Sequence, residues 1–156
     1  VAFDPEELRI QAQRRDRECR RIASSFSGCF MNDTKWRKLF HACCLNRELI
    51  VRCCLKELDA PQPTCSRDYL FPAVDRFSQS FWDTGMGEVV WPSGFVVYRH
   101  IAWIRFPRTW TVPRGKPGVP AAITGQDVDQ IAVAVLVGGS FETSIDGDGL
   151  TIYGYR

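Results

Sequence analysis

No run of apolar residues in this chain reaches the roughly 18–20 needed to cross a bilayer as a helix. The longest candidate, Ile131 to Val137, has the length of a helix core. Val1 is followed by acids and arginines, not by a basic and then apolar leader, so no secretory signal peptide is expected and a cytoplasmic location is. Histidine is scarce, with only His41 and His100, and no serine or cysteine sits in a nucleophile elbow or a cysteine-protease signature. A phosphate-cradling loop and a dinucleotide fingerprint are also missing. No catalytic residue and no cofactor are therefore expected. The formal net charge of +2 is too small to imply nucleic-acid binding in bulk.

What is present is ordinary globular composition, 45% hydrophobic and 24% charged, over 156 residues, which excludes bulk disorder and suits one domain with one core. The seven cysteines, Cys19, Cys29, Cys43, Cys44, Cys53, Cys54 and Cys65, are odd in number and include two adjacent pairs. That pattern argues against a secreted disulfide framework and for mostly reduced thiols packed as small hydrophobes. His41 lies near four of them, but adjacent residues diverge on a helix and face opposite sides of a strand, so no metal site is expected.

Asp4-Pro5-Glu6-Glu7 predicts a helix start, with an N-cap acid, proline at the first position and acids at the positive dipole end. The helix is expected to run to about Ala23 on a thin stripe of Leu8, Ala12, Cys19 and Ile22, interrupted by Arg15. Ser24 to Gly28 reads as a hinge. Asn32-Asp33-Thr34 caps a second helix with Trp36, Leu39, Phe40 and Cys43 on one face, stopping at Asn46. From Glu48 to Lys56 the period changes to two, which predicts a strand. Residues 60–80 read mostly as loop, and 81–87 as a short strand edge entering a turn. Phe95 to Phe106 reads as a central strand ended by Pro107.

Pro107 to Pro120 reads as a basic, Pro/Gly-rich loop presenting Trp110. Thr124 and Asp127 suggest a cap for a third helix with Val128, Ile131, Ala132, Val135 and Leu136 inside, stopped at Gly138-Gly139. Phe141 to Ile145, the Asp-Gly-Asp-Gly turn and Leu150 to Tyr155 then predict a hairpin, whose turn chemistry accounts for the two acids without calcium. With no regular βαβ repeat, the expected class is α+β. The chain divides into an arginine-rich helical extension, 1–25, and a body, 26–156, whose mainly antiparallel sheet is packed by two helices.

The segment Phe30-Met31-Asn32-Asp33-Thr34-Lys35-Trp36-Arg37-Lys38-Leu39-Phe40 resembles a family of small uncharacterised bacterial proteins with a Met-Asn-x-Thr-Lys-Trp helix start. The likeness continues through Trp82-Asp83-Thr84-Gly85, Ile101-Ala102-Trp103-Ile104 and the closing Ile152-Tyr153-Gly154-Tyr155-Arg156, covering about residues 26–156. It implies a compact bacterial α+β domain and supplies no catalytic residues. Where many relatives carry an acid before the central strand's tryptophan, this chain has Ala102.

Three functional readings follow. The leading one is a non-enzymatic interaction protein, by analogy with small bacterial proteins of this size an immunity-type protein that binds a toxin. Its expected contacts are Arg14, Arg17 and Arg21 on the first helix and Arg108, Trp110 and Arg114 on the basic loop, the residue types of interface anchors. The second is nucleic-acid binding by the same basic helix and loop. The third is a small enzyme or ligand site where Asp83 and Glu88 flank a glycine-rich turn beside Trp82 and Trp91. The sequence carries no signal for oligomeric state.

Overall fold

The computed structural model describes residues 4–65, 71–77, 82–86 and 95–156. Asp4 caps helix α1 (Pro5–Ala23), its carboxylate accepting from the Glu6 amide at 3.0 Å. Asn32 does the same for α2 (Asp33–Leu45), accepting from the Lys35 amide at 2.8 Å, and Asn46 closes that helix. Both starts follow from local chemistry, since a short polar side chain satisfies an amide that the helix leaves open.

The expected strand from Glu48 does not form over that range. Strand β1 is Cys54–Glu57 only. The amides of Val51 and Arg52 donate instead to Gln126 Oε1, at 2.9 and 3.1 Å, so a distant side chain takes the place of a strand partner. Within the segment read as loop lie β2 (Thr64–Cys65) and a four-residue helix, α3 (Val74–Phe77). Strand β3 (Gly85–Met86) pairs with β4 (Val96–Val97). The long strand expected over Phe95 to Phe106 is broken by a 3-10 turn, Tyr98–His100, before β5 (Ile101–Pro107). His100 thus sits in a turn and not in mid-strand.

Strands β6 (Thr109–Val112) and β7 (Ala122–Gly125) form a separate antiparallel pair, so the expected basic loop is a hairpin with an extended tip. Helix α4 (Val128–Val135) is capped by Asp127, whose side chain accepts from the Gln130 amide. Thr124 belongs to β7. The last hairpin, β8 (Thr143–Ile145) with β9 (Gly149–Tyr153), forms as expected. Asp146 Oδ1 accepts from the amides of Asp148 and Gly149 at 2.8 and 3.1 Å, which holds its carboxyl below the usual range.

The main sheet has the order β2-β1-β5-β9-β8, antiparallel throughout, with β5 at its centre. Its inner face, Leu55, Ile104, Phe106, Leu150 and Ile152, packs in one core with α2 and α4. Phe40 organises that core: its ring lies 5.6 Å from Trp36, 5.6 Å from Tyr98 and 6.2 Å from Phe71. Tyr98 satisfies its buried hydroxyl by donating to the Trp82 carbonyl at 2.6 Å. The chain is therefore an α+β fold.

Register slips between Lys56 and Glu57, which oppose Trp103 and Ile101 and leave Ala102 as an extra residue. An extra residue turns two consecutive side chains to one face. Ile101 enters the main core, whereas Ala102 joins Trp103, Leu58 and Tyr155 in a second cluster that receives Cys19, Ile22 and Ala23 of α1. The stretch read as a hinge is tied to the C-terminus: Gly28 and Arg156 exchange backbone hydrogen bonds at 3.0 and 3.2 Å.

Five cysteines remain thiols, and Cys19, Cys43, Cys44 and Cys53 of them are buried, in line with packed thiols. Burial raises the Cys43 and Cys53 thiols well above their ordinary range and pushes Cys44 up to about 12, the opposite of what a metal ligand needs. Cys54 and Cys65, directly opposed on β1 and β2 with Cα atoms 4.0 Å apart, form a disulfide that spacing did not reveal. The bond closes a loop of 11 residues. Its loss by reduction or by Cys65→Ser is expected to cost about 2–3 kcal/mol, read as a lower urea midpoint with an unchanged slope.

Candidate binding surfaces

Helix α1 is positioned less by apolar packing than by charge. Cys19 is its one buried residue among those described, and Leu8 and Ile10 stay largely exposed. Asp16 takes the central part, accepting from Arg99 Nε at 2.8 Å and pairing with Arg20 at 2.9 Å and with His100 Nε2 at 3.0 Å. Hydrogen bonds from His100 first, then Arg99, hold the Asp16 carboxyl down to about 2. Arg15 reaches Asp59 at 2.7 Å and Glu57 at 3.1 Å. The residue that breaks the apolar stripe is thus a docking residue. Burial, with Asp59 adding to it, pushes the adjoining Cys19 thiol up to about 11.

This arrangement separates the arginines of α1. Arg14 and Arg17 are exposed, with no ion-pair partner among the described residues, while Arg21 is engaged by Glu18 on its own helix at 2.6 Å. Such an exposed pair within a helix is screened by solvent and holds Arg21 only loosely.

The second surface is the β6–β7 arm. Its root is fastened on both sides. Arg108 grips Asp129 through both terminal guanidinium nitrogens, at 3.1 and 3.2 Å, and donates from Nε to the Asp146 carbonyl at 2.8 Å. That pairing raises Arg108 and lowers Asp129. Arg108 therefore serves the fold more than a partner. Gln126 clamps the other side, its amide donating to the carbonyls of Arg52 and Pro107, each at 2.8 Å. Sequence reasoning passed over Gln126, for which no local pattern exists. Trp110 is half-buried near the root, with the Arg52 guanidinium over its ring at 5.7 Å.

Beyond the root, every residue from Thr111 to Ala121 is exposed. The arm shows Val112, Val119 and, at 78% exposure, Ile123 to solvent beside Arg114 and Lys116. Gly115 and Gly118 take positive φ, 69° and 77°, to turn the tip. No aspartate or glutamate occurs between Pro107 and Gln126.

Of the residues expected at the glycine-rich turn, Trp82 is buried in the core, and Asp83 is exposed and paired with Arg37 of α2 at 2.9 Å. Glu88 and Trp91 lie outside the described residues. Among the described residues, no group of three or more histidine, cysteine or acidic side chains is placed to hold a metal ion, and no helix is long and apolar enough to cross a membrane. The class that the fold defines is α+β, and the surfaces it offers are a charge-docked helix and a cationic arm. No family model matches the chain, and neither does any curated protein or solved structure.

Proposed function

We propose that this chain is a non-enzymatic protein-interaction domain that engages an acidic, partly apolar partner surface with its β6–β7 arm. One observation carries the reading: a two-stranded arm, fastened at its root by Arg108 and Gln126, exposes Val112, Val119 and Ile123 beside Arg114 and Lys116 without one carboxylate. Exposed aliphatic side chains set among unopposed cations are complementary to a carboxylate-rimmed apolar patch. Three prolines in the arm lower the ordering cost of binding. Arg14 and Arg17 on α1 supply a further cationic contact. By analogy with small bacterial immunity proteins, the partner is a toxin that this chain blocks.

A paired capture experiment tests it. The intact chain and an Arg114→Glu/Lys116→Glu variant are used as bait in extract of the source cells. Both substituted side chains are exposed, so the variant is expected to keep the fold. The intact chain should retain an acidic protein that the variant loses by about tenfold or more, as expected for two reversed charges at a rim. Identical recovery by the two baits sinks the reading.

A second reading, nucleic-acid binding through the same arm, is favoured by the acid-free stretch and by the Arg52–Trp110 stack at its root. It requires affinity for an oligonucleotide that falls steeply with added salt. Binding that is absent at low salt removes it.

A further inference from the structure

Helix α2 has a second face, turned away from the core, that neither the arm nor α1 uses. Along it runs an open groove of about 510 Å³, bordered by Val137 and Gly138 of the 3-10 turn that follows α4. Its polarity is segregated along the helix. Arg37, which Asp83 engages at 2.9 Å, Lys38 and His41 line the N-terminal half, while Ala42, Leu45 and Val137 line the other. Thr34, at the start, and Leu45, at the end, lie eleven residues apart on α2, about 16 Å at a rise of 1.5 Å per residue. No carboxylate lines the groove. Lys38 is exposed and has no ion-pair partner among the described residues. Leu45 and Val137 are 61% and 78% exposed, more apolar surface than their own helices require.

We infer that this groove binds a small anionic amphiphile, a medium-chain carboxylate whose headgroup meets Lys38 and whose hydrocarbon tail lies along Ala42, Leu45 and Val137. Two features select this occupant. The volume falls in the range of small-molecule sites, and the length is that of an extended hydrocarbon chain of middling size with its headgroup. Charge is concentrated at one end, whereas a partner helix needs apolar positions repeating along the whole length. The neighbouring depression across Leu45, about 530 Å³, carries Arg47 and Glu48 together and has no such complementarity.

The test uses the full chain, titrated with decanoate and separately with decanol, and followed by calorimetry and by backbone amide shifts. Decanoate should bind saturably below millimolar concentration, with shifts confined to residues 34–45 and 137–138. Decanol should bind about tenfold more weakly or worse, as should decanoate to Lys38→Glu or to Leu45→Asp. Both substitutions fall on exposed positions, and an unchanged amide spectrum elsewhere verifies the fold. Equal affinity for the alcohol, indifference to both substitutions, or shifts elsewhere on the surface each overturn the inference. So does a Leu/Glu amphipathic helical peptide that occupies the groove when decanoate does not, which would assign the face to a protein. Self-association abolished by Leu45→Asp would assign it to a second copy and equally overturn the inference.

Discussion

Asp16→Ala is expected to loosen α1 against the sheet, leaving it held by Arg15 on Asp59 and Glu57 and the rest of the fold intact. The carboxylate gathers His100, Arg99 and Arg20 at once, and His100 Nδ1 is already buried without a hydrogen-bond partner among the described residues. Removing Asp16 leaves both ring nitrogens of a buried histidine unsatisfied, a loss of about 2–3 kcal/mol by the usual cost of deleting a charged hydrogen-bond partner. The apolar contact beneath is small, with Cys19, Ile22 and Ala23 against Leu58, Ala102, Trp103 and Tyr155, and it does not replace that loss. Hydrogen exchange should quicken by about tenfold or more over residues 8–23, with α2 and β5 unchanged. Equal protection in the variant would show that the helix docks by other means. Acid should act in the same direction. Because the folded value of Asp16, about 2, lies below the ordinary 3.8, its contribution is full above pH 4. It is lost as pH falls from about 4 to about 2.

Gly149→Ala is expected to lower global stability by more than about 3 kcal/mol, combining backbone strain with a main-chain clash. Gly149 opens β9 opposite Pro107, at φ 152°, a conformation that side-chain-bearing residues rarely take. A Cβ there would stand 2.2 Å from the Phe106 carbonyl oxygen and 3.1 Å from its carbon. The obstacle is the backbone of the central strand, which cannot turn aside as a side chain does. Denaturant unfolding measures the loss directly, and a change below about 1 kcal/mol would mean that the β5–β9 end is not packed as described.

The parts of this fold that were legible in the sequence are those settled within a few residues. Asp4 and Asn32 cap their helices, Asn46 ends α2, and the Asp146 turn closes β8 onto β9. Misreadings arose where a distant group decides. Glu48 to Cys53 alternates like a strand, but Gln126 takes up the amides of Val51 and Arg52. Proline and glycine hid the β6–β7 pairing because strand partners thirteen or so residues apart leave no local period. Thr124 resembled a cap, yet it serves β7, and Asp127 caps α4. Of the candidate contacts, Arg14, Arg17 and Arg114 are exposed. Arg108 and Trp110 are drawn into the arm's root by Asp129 and Arg52, partners that only the fold brings near.

The arm's role can be read most directly by placing a photo-activated cross-linking residue at position 119, in the exposed tip, and irradiating in extract of the source cells. One acidic protein should attach there, and the attachment should vanish when Arg114 and Lys116 are both glutamate. Attachment that survives those two substitutions, or that yields nucleic acid in place of protein, would contradict the assignment.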